Sequence, residues 1–237
     1  MPITKVSEEL KDFLEKIDSE EFMPSAKDFQ VSVSLRKIKA YADSEGIEFR
    51  FYQKPFGPFL KYEERRLSKD GILALTSLSF VVLLDKGVRK IILHPKKYFE
   101  LILKDKKRWL KEFIFINLHE IAHLEKETMK AAMIQEGKGE VIECPYGETS
   151  CIWEEIEITK NIQDLYKKLK IRNSKEFFIR LSLKGIFVPT HQNCFEALDN
   201  DVCPLKDLIK KDEYYQSYAE PLWNRVKVER IKSEQNP

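Results

Sequence analysis

The segment Phe113–Leu124, FIFINLHEIAHL, restricts the fold of this chain more than any other. It lies inside a long helix predicted from about Lys106 to Gln135, with Gly137 and Gly139 after its end. Phe113-Ile114-Phe115-Ile116 precede a polar group of His119, Glu120 and His123, and Leu124 follows it. A helix that is apolar all round belongs in a core. Burying two imidazoles and a carboxylate in such a helix is costly unless something satisfies them.

The spacing of the polar group suggests what does so. His119-Glu120-Ile121-Ala122-His123 has the form H-E-x-x-H. Residues four apart on a helix share one face. Two imidazoles so placed can both reach one Zn²⁺ at about 2.0–2.1 Å. Glu120 points to the neighbouring side of the helix, where it can serve as the base toward a water at the metal. His119 and His123 are therefore the expected metal ligands and Glu120 the expected catalytic residue.

A catalytic zinc site has three protein ligands and one open position. The third is expected from CIWEEIEITKNIQDLYKKL, read as a helix from about Ser150 to Leu169. At about 100° per residue, Cys151, Ile158, Ile162, Leu165, Tyr166 and Leu169 share a face. Glu155 falls near the middle of that face and Glu154 at its edge. A carboxylate centred in an apolar stripe either has its pKa pushed up or has a positive partner, a metal or a buried Lys or Arg. Glu155 is taken as the ligand and Glu154 as its reserve. Cys151, one turn before Glu155, is a candidate fourth ligand, although a buried small residue is the simpler role.

An HExxH helix followed by a Glu on a later helix is similar to the gluzincin pattern of metallopeptidases. The strand before the motif, RKIILHP, and the later E-x-E-I-T segment most resemble the ImmA/IrrE-type metallopeptidase family. The resemblance covers roughly residues 78–169. It implies zinc bound by His119, His123 and Glu155, with Glu120 as general base and a peptide or protein as substrate. Thr159 stands where that family usually has an Asp. The resemblance also implies a cleft beside Arg89–Leu93, taken as a sheet edge to which an extended peptide could add as a strand.

The remaining chain is read around this helix. A short helix is expected over Ser7–Ile17 and a second over Ala26–Ser44, with Gly46 after it. Ile47–Tyr52 reads as a strand, and Phe59–Leu67 could pair back on it across a Phe56-Gly57-Pro58 turn. Leu73–Leu84 and Arg89–Leu93, separated by Asp85-Lys86-Gly87, read as a hairpin ended by Pro95. Residues 97–104 form a short helix. From Ile171 on the chain is mixed and mostly helical. The expected architecture is α+β and zincin-like. A small, mostly antiparallel sheet packs on the HExxH helix within a catalytic unit, 1–170. A helical C-terminal subdomain, 171–237, packs on that unit.

Composition narrows the function classes. Forty-one basic and 39 acidic residues leave a net charge of +2, which gives no electrostatic reason to expect a nucleic-acid partner. The longest apolar runs, Ile72–Leu84 and Phe113–Leu118, are too short or interrupted for a membrane span. The N-terminus, MPITKVSEEL, lacks a basic head and an apolar stretch, so a cytoplasmic protein with reduced cysteines is expected. No Cys precedes His119, which excludes the ligand order of a peptide deformylase. His191, Cys194 and Cys203 are a weak candidate for a second metal site, their spacing matching no common zinc module. His94, before Pro95 at a strand end, is assigned a structural role, and Cys144 flanks the loop before the Glu155 helix without an assigned role. Tyr146, Tyr166 and His191 are candidates for stabilising an oxyanion, and Tyr52–Phe59 for touching a substrate or partner. A regulatory protein that keeps the zinc-binding core with little activity is the alternative to a peptidase.

Overall fold

The computed structural model describes residues 26–52, 80–84, 89–125, 152–186 and 191–235. They divide into two compact units, one holding the described residues up to Leu124 and the other those from Glu125 on. The architecture is α+β, mostly helical with one small sheet. The expected Ser7–Ile17 helix, the Phe59–Leu67 strand, Cys144, Tyr146 and Cys151 fall outside the described residues, as does the helix expected beyond Glu125 up to Gln135.

In the first unit, the single helix expected over Ala26–Ser44 is divided at Ser32. Ala26–Val31 forms 3₁₀ turns and helix α1 spans Val33–Ser44. Ser32 is extended, and its hydroxyl accepts a hydrogen bond from the Leu35 amide at 3.1 Å. A serine at that position satisfies one of the helix's free amides, so a new helix starts there. Gly46 follows α1 with φ of 67°. That left-handed conformation is cheap only for glycine, and it turns the chain directly into strand β1 (Ile47–Tyr52).

Strands β2 (Phe80–Leu84) and β3 (Arg89–Pro95) complete a sheet of order β1-β3-β2. The β2–β3 pair is antiparallel, with Phe80 opposite Leu93 and Leu84 opposite Arg89, as the hairpin reading required. The β1–β3 pair is parallel, with Ile47 opposite Lys90 and Tyr52 opposite Pro95. The expectation of a mostly antiparallel sheet is therefore corrected. The sheet is mixed, and its longer ladder, six paired positions against five, is the parallel one. The sheet-edge role given to Arg89–Leu93 is corrected as well. β3 is the middle strand, its hydrogen-bonding edges taken by β1 and β2, so no peptide can add to it. Ile91 and Ile92, which point to opposite faces, are both fully buried, as a central strand covered on both sides requires.

Helices α2 (Lys96–Lys104) and α3 (Lys106–Glu125) follow β3 without a break in the described chain. On β1, Ile47, Phe49 and Phe51 are buried while Glu48 and Arg50 pair on the other face at 2.6 Å. This alternation sets an aromatic core. The ring of Phe29 lies 4.7 Å from that of Phe49, 5.9 Å from Phe51 and 6.4 Å from Phe113 on α3. Phe113 thus fastens α3 to the inner face of the sheet.

The second unit is helical among its described residues. It comprises α4 (Ile152–Lys168), α5 (Lys175–Ile186), α6 (Gln192–Asp199), α7 (Lys206–Lys211), a π-helical stretch Tyr215–Ala219 and α8 (Glu220–Gln235). Phe195 stacks on Trp223 at 4.9 Å, and the Trp223 indole donates to Asp199 at 2.8 Å. Asp212 starts the last helical segment by accepting from the amides of Tyr214 and Tyr215 at 2.9 and 3.1 Å. Its other oxygen accepts from Lys160 of α4 at 2.6 Å. Among the described residues no helix is long and apolar enough to cross a membrane.

Candidate metal centre

Helix α3 is buried along nearly two-thirds of its length. From Glu112 to Leu124 every side chain is buried except two, and those two are His119 and His123. The apolar flanks do what their composition requires, and the helix surface opens only at the imidazoles. Glu120 lies between them in sequence and is 6% exposed.

The two rings are arranged as a pair. Their centroids are 4.7 Å apart at an interplanar angle of 78°, and the Nε2 atoms face each other at 3.1 Å. Two nitrogens on one tetrahedral zinc, each at about 2.0–2.1 Å, are separated by about 3.3 Å. The observed spacing is within a few tenths of an ångström of that value. The ring of Phe115, one turn earlier, lies 6.1 Å from His119 and packs against that side of it.

On α4 the wheel reading is reproduced closely. Ile158, Ile162, Leu165 and Tyr166 are buried with Glu155, while Lys160, Asp164 and Lys168 are exposed. Glu154, expected at the edge, is buried too, so burial alone does not choose between the two carboxylates. Proximity does. Ligand atoms of His119, His123 and Glu155 all lie within 4.8 Å of one another, a group that could hold a metal ion, and Glu154 is not part of it. Two imidazoles and one carboxylate are a donor set suited to zinc. Asn161, farther along α4, donates to Glu125 at 3.2 Å, two residues past His123. Thr159, one turn beyond Glu155, is buried at 3% exposure.

The other candidates separate from this centre. Among the described residues, His119, His123 and Glu155 form the only such group, so His191, Cys194 and Cys203 do not make a second metal site. His191 is buried with its Nδ1 3.0 Å from the Ile186 carbonyl, and both cysteines are buried. Tyr166 packs edge-on against Phe178 of α5 at 6.2 Å, and burial raises its phenol above the usual range. Eleven residues of helix separate it from Glu155, about 16 Å of rise, which removes it as an oxyanion donor at this centre.

One relationship went unread in the sequence. His94, assigned a structural role, is fully buried, and its Nε2 lies 3.1 Å from Oδ1 of Asn117 on α3. Asn117 is itself fully buried and donates to the Phe113 carbonyl at 2.7 Å. The available signal was a lone amide in the apolar run FIFIN, facing a histidine on a strand otherwise rich in Ile and Leu.

No family model matches the chain, and no curated protein or solved structure matches it.

Proposed function

We propose that this chain is a zinc-dependent metallopeptidase with a zincin-like core, its metal held by His119, His123 and Glu155. The observation that carries the reading is the exposure pattern of α3: a buried helix that opens only at two imidazoles whose Nε2 atoms converge to 3.1 Å. A structural histidine pair has no need of that opening, whereas a centre that must admit substrate does.

Bound there, zinc supplies Lewis acidity toward a carbonyl oxygen and makes a water acidic enough to ionise near neutral pH. Three protein ligands leave the position that a substrate group needs. Glu120 follows His119 directly and projects from the adjacent side of the helix, so it is the residue suited to take a proton from the attacking water. It then returns that proton to the leaving amine. Its burial keeps the carboxylate away from bulk solvent, which strengthens its interaction with charge developing beside it. The substrate expected is a peptide or protein, and the HExxH spacing together with the carboxylate from a later helix is what supports that class.

The test is a Glu120→Gln variant. It is expected to retain zinc at the wild-type level and to lose peptide cleavage. Cleavage of a peptide library at the wild-type rate by this variant would contradict the role given to Glu120.

A second reading has an observation of its own. Thr159 is buried one turn beyond Glu155, where a carboxylate would orient a metal-ligating histidine more strongly than a hydroxyl can. A regulatory or interaction protein that retains the metal core with little hydrolysis fits that substitution. Stoichiometric zinc with no cleavage of any peptide in a diverse library would favour it.

A further inference from the structure

Most of what holds α3 against the sheet is apolar, and apolar contacts have no preferred direction. The His94–Asn117 contact is different. The His94 ring is enclosed by Phe49, Phe51 and Phe113, with centroids at 6.1, 5.9 and 5.1 Å. Burial pushes its pKa down to about 4, so at neutral pH the ring is uncharged. The neutral tautomer protonated on Nε2 donates to Asn117 Oδ1, while the Asn117 amide donates to Phe113 one turn back.

Such a pair gains little net stability over an apolar pair of the same shape. What it adds is direction. It defines both the height of α3 on β3 and the rotation of α3 about its own axis. His119 lies two residues beyond Asn117 and His123 six, about 200° and 240° around the helix. The rotation that turns Asn117 toward His94 therefore turns both imidazoles away from the sheet. Both rings lie past 180° on the same side of the helix, so an error in that rotation turns them together, toward the sheet or away from it.

We infer that His94 and Asn117 are a positioning pair, a latch that sets the rotation of α3 and with it the angle at which His119 and His123 present their Nε2 atoms. The inference rests on the metal-centre reading for its functional meaning, but the orientation it claims exists without metal and can be measured so.

The experiment uses the full chain carrying His94→Phe together with Asn117→Leu, which removes both partners of the contact at once. In metal-free protein, ring-proton NOEs between Phe113 of α3 and Phe51 of β1, whose centroids lie 6.5 Å apart, are expected in the wild type and weakened or lost in the double variant. Unchanged NOEs overturn the latch whether or not the protein binds metal. With Co²⁺ as probe, the double variant is expected to bind about 10–100-fold more weakly, the usual loss for an outer-shell partner, with an altered visible spectrum. Equal affinity and an identical spectrum overturn the latch while leaving the metal centre standing. Absence of Co²⁺ binding in the wild type overturns the metal centre, and the latch is then judged on the NOEs. Should the double variant fail to fold, His94→Gln and His94→Leu replace it. The Gln amide nitrogen can occupy the Nε2 position, so His94→Gln is expected to keep the wild-type NOEs and His94→Leu to lose them. Identical behaviour of the two overturns the latch.

Discussion

His119 and His123 hold their Nε2 atoms 3.1 Å apart on consecutive turns of α3, while the residues on either side of each are buried. In water two neutral imidazoles gain little from such an approach. In the absence of a third body, one ring must donate and the other accept. With an ion between them both lone pairs are used at once, and the carboxylate of Glu155 is near enough to join.

If His119, His123 and Glu155 hold a metal, removing any one of them should weaken its binding beyond the roughly 10–100-fold that loss of a residue supporting a ligand costs. His119→Ala, His123→Ala and Glu155→Gln are expected to fall in this class, and Glu154→Gln is not. Competition with a chelator of known affinity measures all four. If Glu154→Gln proved the more damaging of the two carboxylate changes, the ligand assignment would have to be exchanged.

His94 makes stability depend on pH with a definite sign. Its folded pKa, about 4, lies below the ordinary histidine value of 6.5, because burial disfavours the imidazolium. The unfolded chain therefore binds the proton more readily, and stability falls as pH drops from 6.5 toward 4. Fully present above the unfolded pKa, the contribution amounts to on the order of 3 kcal/mol by the lower limit, at about 1.4 kcal/mol per pKa unit. Urea unfolding at a series of pH values should show this slope in the wild type and a shallower one in His94→Gln. Equal slopes would remove His94 as the cause.

Asp212 does two jobs in the second unit. One oxygen caps the helical segment through the Tyr214 and Tyr215 amides, and the other accepts from Lys160 at a side-chain exposure of 8%. Asp212→Ala should cost about 1–2 kcal/mol through the lost cap alone. Asp212→Asn keeps the capping oxygen and should recover most of that in equilibrium unfolding. A loss in Asn as large as in Ala would instead assign the stability to the Lys160 contact.

Much of the site could be read from the sequence, and the reason is local. Phe113 to Leu124 carries its own helical period, its own burial and its own ligand spacing, so nothing distant was needed to place His119 and His123. Glu155 was readable because α4 is amphipathic and that carboxylate sits on its apolar face. The sheet was read only where partners are neighbours in sequence, as in β2 and β3. The parallel β1–β3 ladder was not, because parallel strands are joined by a long crossover and leave no turn signature between them. The edge position of β3 was implied by the family resemblance, and its β1 partner overturns it. The break at Ser32 was legible in principle, because a serine can cap a new helix, yet the stretch Ala26–Ser44 was read as one helix.

Gly46 offers a test of the turn that joins α1 to β1. Its φ of 67° is left-handed, and a Cβ there would meet nothing within 4 Å. Gly46→Ala should therefore destabilise by about 1–2 kcal/mol through backbone strain alone. Gly46→Asn should cost less, since Asn tolerates that region. Chemical unfolding of both variants checks the order, and a neutral Gly46→Ala would show that the turn relaxes out of the left-handed region.

Zinc content with its coordination decides whether His119, His123 and Glu155 form a metal centre. Protein purified without chelators and equilibrated with micromolar free zinc should hold one ion per chain. X-ray absorption should show two imidazole nitrogens and one carboxylate oxygen at about 2.0–2.2 Å, and His119→Ala combined with His123→Ala should hold none. A wild-type protein that retains no more zinc than that double variant would contradict the account.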